Sequence, residues 1–343
     1  MSDTDIDSSA YVEVRTFTSG HCDTVNVLSF SPDGTYLASG GDDCSLLVWN
    51  VLRERLIFRI LFNGPVSCIV WHPIHADTLI VGCDDGKIVQ MYDFTLVGVE
   101  QHDIRIGVRS EVHCLEYDAR TRCLAIGIGN EVHVTREQDR NTYSGDIILP
   151  APPDHGRPDD DENRLRAVSV HFINDGQQVV VLYLVHGIIC YSVQNGEQLW
   201  AIASPEVSRI GSSALSSDGK ALIAYSFDRG VHLYSLVSHN DNPIGTYKLE
   251  QAPRTKHRVQ VAFVQKDRGI VCGTTTGSVC MWYRESREIF QKLHHAGSCS
   301  ASLARIYIAT GSVEQGQATK IKLWRAKMSE FLSAVSSFLP DTV

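Results

Sequence analysis

A closed ring of repeated all-β units is the fold this sequence predicts, and three observations predict it. An apolar residue is followed twelve positions later by the end of the next apolar run at Leu37 to Trp49, Leu79 to Met91, Val179 to Tyr191, Leu222 to Tyr234 and Ile270 to Trp282. The run ends fall at 49, 91, 134, 191, 234, 282 and 324, mostly 42 to 48 apart, and a period of that size marks an array of supersecondary units. Near the start, Tyr11-Val12-Glu13-Val14-Arg15-Thr16-Phe17 alternates apolar and polar, the period of a half-buried strand. One short unit cannot bury its own apolar faces, so one implies several more stacked beside it.

Residues 1–9 are acidic and polar and are expected to be disordered, with the ring occupying residues 10–325. The first unit reads Gly20-His21, Phe30-Ser31-Pro32-Asp33-Gly34, Leu37-Ala38-Ser39-Gly40, Asp43 and Trp49-Asn50. It resembles one repeat of the WD-repeat β-propeller family, with Asn50 where that family usually carries Asp. The resemblance implies four strands per unit, lettered a to d from the central axis outward, with a turn Asp between b and c and an aromatic ending c. The second unit keeps Asp85 but has Met91 at the aromatic place, and the third runs ten positions, not twelve, from Leu124 to Val134.

Between the third and fourth units stand Pro150-Ala151-Pro152-Pro153-Asp154-His155-Gly156-Arg157-Pro158 and Asp159-Asp160-Asp161-Glu162. Proline and like charge cannot feed a sheet, so residues 139–163 are expected as a flexible surface insertion. The fourth unit ends at Tyr191. The fifth keeps Asp228 and Tyr234, the sixth has Thr276 before Trp282, and the seventh spans eighteen positions from Ile306 to Trp324 around Glu314-Gln315-Gly316-Gln317. No fourth strand follows Trp324, so the N-terminal strand is expected to pair there and close a seven-bladed ring. Closure removes two open sheet edges.

Of the chain's 343 residues, 43% are hydrophobic and 21% charged, at a net charge of −9. That acidity argues against a nucleic-acid surface, which needs clustered Lys and Arg. The 10 cysteines sit singly in apolar runs with no Cys-x-x-Cys pair. With no signal peptide at the start, this predicts reduced thiols in a cytoplasmic protein, with the nucleus as the alternative. No run approaches the roughly 20 apolar residues that a spanning helix needs.

His21, Ser39, Asp43 and Trp49 match the four positions that form a hydrogen-bonded chain in the family. Such a chain stabilises only when each buried group has a partner. Its Ser-His-Asp composition is that of a hydrolytic triad, but Ser39 sits inside a strand between Ala38 and Gly40 with no elbow turn to present it. It reads as structural. Phe227-Asp228-Arg229-Gly230 resembles the Phe-Arg-Arg-Gly motif by which some propellers hold phosphoinositides, with one arginine missing. Asp154, His155 and residues 159–162 lack a calcium-loop pattern, and His294-His295 lacks supporting ligands, so no metal or other cofactor is expected. Gly127-Ile128-Gly129-Asn130 is a short hairpin, not a nucleotide loop.

The last residues carry a second pattern. Met328, Phe331, Leu332, Val335, Phe338 and Leu339 fall on one helical face, opposite Ser329, Ser333, Ser336 and Ser337, which predicts a short amphipathic helix in residues 326–343. Three occupations stay open: folding back on its own ring, filling a groove on a partner, or lying in loosely packed lipid.

The resemblance implies a non-enzymatic scaffold that docks proteins or peptides on the face carrying the b–c turns. A membrane-recruited adaptor or phosphoinositide-binding propeller is the alternative, and a monomer within a larger complex is expected. The docking face nominates Asp42, Asp84, Phe227 and Thr275. Phe227 is the best anchor if it is exposed; packing between blades is its other reading.

Overall fold

A computed structural model describes residues 11–18, 20–95, 98–152, 165–203, 209–250, 259–295, 298–304, 307–313 and 319–327. The strands form seven four-stranded sheets, each a run of antiparallel neighbours in chain order except the last. The innermost strand of every sheet touches the innermost strand of the next, and that of the seventh returns to Val25–Phe30 of the first. The sheets are therefore blades of a closed ring. In the seventh blade, Tyr11–Phe17 pairs antiparallel with Ile321–Ala326 and supplies the outermost strand from the other end of the chain. Tyr11 and Phe17 at the two ends of this strand are buried and Val14 is half-buried against the core, while Glu13 and Arg15 are exposed; the register shifts between Glu13 and Arg15, so the strand does not alternate strictly.

The twelve-residue step is a hairpin register. Leu37 pairs with Trp49, Leu79 with Met91, Val179 with Tyr191, Leu222 with Tyr234 and Ile270 with Trp282. Both members of all five pairs are buried, because directly opposite residues of an antiparallel pair share a face.

Two anchors expected from spacing need correction. Leu124 pairs with Thr135, not Val134, so the third hairpin is one residue short: Ile128 faces Glu131 across a two-residue turn at Gly129 and Asn130. In the seventh blade Trp324 pairs with Ile308, whereas Ile306 lies outside the described residues. Residues two apart share a strand face, so the alternation could not choose between them.

The expected insertion at 139–163 also needs correction. Glu131–Asp139 and Thr142–Ile148 form the two outer strands of the third blade, and only residues 153–163 of that span lie outside the description. The alternation Tyr143, Gly145, Ile147 was hidden beside the prolines that follow.

The core lies in the seams between blades. Leu28, Leu37 and Trp49 of the first blade pack with Ala309, Ile321 and Leu323 of the seventh, and Phe17 covers Trp49 at 4.5 Å. Blades approach closely where strand b carries glycine: a Cβ on Gly40 would stand 2.3 Å from Val66 Cγ1 of the second blade. The expected tail helix, with Phe331, Leu332, Val335, Phe338 and Leu339, lies outside the described residues. Among the described residues no helix is long and apolar enough to cross a membrane.

Candidate functional site: the turn face and the central channel

In the first blade the loop before strand a brings His21 against the b–c turn. His21 Nδ1 stands 2.9 Å from Asp43 Oδ1 and Nε2 2.8 Å from Ser39 Oγ, and Trp49 Nε1 donates to the same Oγ at 3.0 Å. An ionised carboxylate only accepts, so Nδ1 carries the hydrogen and Ser39 donates to Nε2. Asp43 also accepts from Ser45 Oγ and Cys22 N. Burial works to raise its pKa, but these hydrogen bonds, led by that from His21, hold the carboxyl well below the usual range. Ser39 is wholly buried and bonded on both sides. That geometry seals the serine.

The four nominated docking residues fall into two pairs, each on adjacent blades. Asp42 and Asp84 are exposed at the turns of blades one and two, beside the exposed Asp85. Neither stands alone: Asn26 Nδ2 donates to Asp42 Oδ1 at 2.7 Å, and Ser67 Oγ donates to Asp84 Oδ1. Asn26 and Ser67 both stand at the second position of an innermost strand, so the acidic rim adjoins the channel mouth.

Phe227 and Thr275 follow strand b of blades five and six and are half-buried. The Phe227 ring sits edge-on to Tyr225 at 5.7 Å and over Gly211, where a Cβ would come within 2.8 Å of it. One face is packed in the seam while part of the ring stays open at the mouth. Next to it, Asp228 pairs with Arg209 at 3.8 Å, which places a carboxylate where a phosphate-binding motif would need an arginine.

Two clusters escaped sequence reading. One runs along the channel wall. His171 Nδ1 lies 2.9 Å from Glu116 Oε2 and its Nε2 2.8 Å from Ser213 Oγ, joining the innermost strands of blades four, three and five. Phe172 N donates to Glu116 Oε1 at 3.1 Å and fixes the carboxylate.

The other cluster sits between blades two and three. The buried Glu137 Oε2 receives Tyr117 OH at 2.5 Å, His72 Nε2 at 3.3 Å and Arg122 Nη2 at 3.3 Å. His72 Nδ1 accepts the amides of Ile74 and His75, so Nε2 carries the hydrogen. Burial pushes the His72 imidazole down, against the pull of Glu137, and burial followed by the bond to Glu137 holds the Tyr117 phenol up.

The partners that meet across blade seams, Glu116 with His171, His171 with Ser213 and His72 with Glu137, are 42 to 65 residues apart. No local motif could have found them. Among the described residues no group of three His, Cys, Asp or Glu is placed to hold a metal ion. Asp154, His155 and residues 159–162 lie outside the description.

Comparison with known proteins agrees with the first blade. Residues 12–50 match the family described as WD domain, G-beta repeat. The Xenopus laevis ribosome biogenesis protein bop1-A is 39% identical over 70 residues, which are 20% of this chain and 10% of that protein. The human ribosome biogenesis protein BOP1 is 36% identical over 70 residues, 20% of this chain and 9% of that protein. The Caenorhabditis elegans retinoblastoma-binding protein homolog 5 is 30% identical over 116 residues, 34% of this chain and 25% of that protein. The aligned stretch thus spans about a tenth of the ribosome biogenesis relatives' own length. The chain thus carries one matching WD repeat in its first blade and folds as a seven-bladed β-propeller of four-stranded blades closed into one ring.

Proposed function

We propose that this propeller is a scaffold that docks a protein partner through a segment carrying basic and apolar side chains across the mouth of the channel. One observation carries the reading: the mouth is two-sided. Exposed Asp42, Asp84 and Asp85 line blades one and two, while the half-open ring of Phe227 stands across the channel on blade five. Carboxylates at a rim steer and orient a basic partner, and a partly desolvated aromatic supplies the contact area that binding energy concentrates on. The ribosome biogenesis relatives favour a partner from that assembly process, and with it the nuclear alternative over the cytoplasmic one. In a complex that also holds RNA, an acidic mouth favours contact through a protein component.

The test is affinity purification from nuclear extract with the wild-type chain, Asp42→Lys with Asp84→Lys, and Phe227→Ala, alongside a chain ending at Arg325. The expected result is a partner set kept by the truncated chain, lost with the charge reversals and weakened about tenfold or more by Phe227→Ala, the loss of roughly 1.4 kcal/mol or more that marks an anchor residue. A partner set indifferent to all three substitutions, or lost with residues 326–343, sinks the reading.

A further inference from the structure

Two chains of serine, histidine and carboxylate stand among the described residues, and their surroundings differ. In the first blade Ser39 is wholly buried and receives a second hydrogen bond from Trp49. Each group there must be satisfied because it has been taken out of water. The chain of Glu116, His171 and Ser213 is half-exposed instead, with side-chain exposure of 30% at Glu116 and 12% at His171. Water could serve these groups, so desolvation does not demand their pairing.

The sheet registers show what Glu116 and His171 face; Ser213, which pairs with Ala224, stands one position before the equivalent residue of blade five. Glu116 pairs with Ala125 and His171 with Val180, and the equivalent positions in the other described inner strands are Ser29, Val70, Ala214 and Ala262. All six are half-exposed on strands that surround the channel. Four of the six side chains are small and uncharged, and the other two are the paired Glu116 and His171.

The proton order follows from the acceptors. Glu116 as a carboxylate only accepts, so His171 Nδ1 carries the hydrogen and the Nε2 lone pair accepts the Ser213 hydroxyl. A base held in one tautomer by a carboxylate, and itself bonded to a hydroxyl, is the arrangement that activates an oxygen nucleophile.

Donors for a developing oxyanion are present too. The inner strand is the edge of its sheet, so alternate amides lie outside the ladder; Phe172 N, bonded to Glu116, is one. Leu215 pairs with Leu222 as Phe172 pairs with Val179, which puts the amides of Ser213 and Leu215 on the channel edge.

We propose that Ser213, His171 and Glu116 form an acyl-transfer site in the central channel that takes small activated acyl esters. Ser213 Oγ attacks the carbonyl carbon while its proton passes to His171 Nε2. The bond to the leaving oxygen then breaks, and that oxygen takes the proton from His171, leaving an ester on Ser213. A water molecule attacks this ester with His171 again accepting the proton, which returns to Ser213 as the acid departs. Ester and water become acid and alcohol, and Glu116 stays ionised throughout. This site is independent of docking at the mouth.

The experiment treats the full chain with a fluorophosphonate probe and p-nitrophenyl acetate, and maps the modified residue by peptide mass spectrometry. The expected result is one phosphonylated residue, Ser213, with Ser39 unmodified. Release of p-nitrophenol should fall about a hundredfold or more in Ser213→Ala and in His171→Gln, the lower end of what a general base contributes. Labelling mapped on the wild-type chain does not depend on any variant folding. No label at Ser213, or a release rate unchanged in variants with wild-type melting temperatures, overturns the proposal.

Discussion

Blade one and the seam between blades two and three both bury a carboxylate, and they neutralise it from opposite directions. Asp43 finds its donors inside one repeat: His21, Ser45 and the Cys22 amide all lie within 22 residues of it. Glu137 is served partly from another blade, by His72 65 residues away, with Tyr117 and Arg122 from its own. The first arrangement is a property of a repeat. The second is a property of the assembled ring, because it exists only when blades two and three are packed together. The outer hairpin of blade three strengthens the same seam, since Tyr143 OH donates to Gln90 Oε1 at 2.7 Å and Arg140 pairs with Asp77 and Asp93.

The largest expected effect comes from the apolar body of the blade-one chain. Trp49 is 2% exposed, lies against the tilted ring of Phe17 of the closing strand and donates to Ser39. Trp49→Ala should cost about 3–5 kcal/mol, the range for large core aromatics, measured by urea unfolding. Because Phe17 belongs to the strand that closes the ring, proteolysis near residues 11–17 should accelerate in the same variant. A loss under about 1 kcal/mol would show that the seam between blades seven and one is not where the ring is held.

Next comes Glu137→Gln, which keeps the shape and removes the charge that Tyr117, His72 and Arg122 address. The expected loss is about 1.5–3 kcal/mol, the range for hydrogen bonds to a charged group. The comparison is sharpened by a double-mutant cycle. Tyr117→Phe with Glu137→Gln should be non-additive by about 0.5–3 kcal/mol, whereas Tyr117→Phe with Ser39→Ala should add within about 0.5 kcal/mol. Additivity in both cycles would mean that Glu137 and Tyr117 are neighbours without being coupled.

The same contrast decides what could be read from the sequence. Trp49, Ser39, His21 and Asp43 were legible because a repeat encloses its own partners at short, recurring distances. The twelve-residue step was legible because a hairpin's register is set locally by its turn. Blade three defeated the pattern for a local reason as well, since a two-residue turn at Gly129 and Asn130 shifts the register to Leu124 and Thr135. The Glu116, His171 and Ser213 cluster was invisible for the opposite reason: each residue lies on a different inner strand, and only closure of the ring brings them together. Phe227 was legible as a turn residue, but Gly211 and Tyr225 beneath it decide how far it is buried.

Acid should expose the blade-one chain through Asp43. Its folded pKa is depressed, so its contribution is complete above the unfolded carboxylate value of 3.8 and is lost as pH falls below that value towards the folded one. Asp43→Asn should therefore be less stable than the wild type by a constant amount, about 1–2 kcal/mol, between pH 7 and about 5. The gap should narrow on further acidification towards about pH 2, because only the wild type has this proton to bind. A gap that widens in acid would contradict the direction of the shift.

The smallest effect concerns thiols and separates the acidic rim from the seams. Cys22 is exposed on the loop before strand a, and Cys44 sits half-buried in the first turn. Burial, and then the charges of Asp43, Asp42, Asp85 and Asp84, raise the Cys44 pKa. Cys83 and Cys190 lie inside strands b and c, where burial pushes both up to about 12. Thiolate is the reacting species, so exposure and acidity act in the same direction. At pH 8, iodoacetamide should modify Cys22 first and Cys44 more slowly, with Cys83 and Cys190 modified only as fast as the ring opens. Raising the salt concentration should speed Cys44 relative to Cys83 and Cys190, because screening weakens the four carboxylates around it and leaves burial unchanged. Labelling of Cys83 or Cys190 at the rate of Cys22 would mean that the blade seams open far more often than their packing allows.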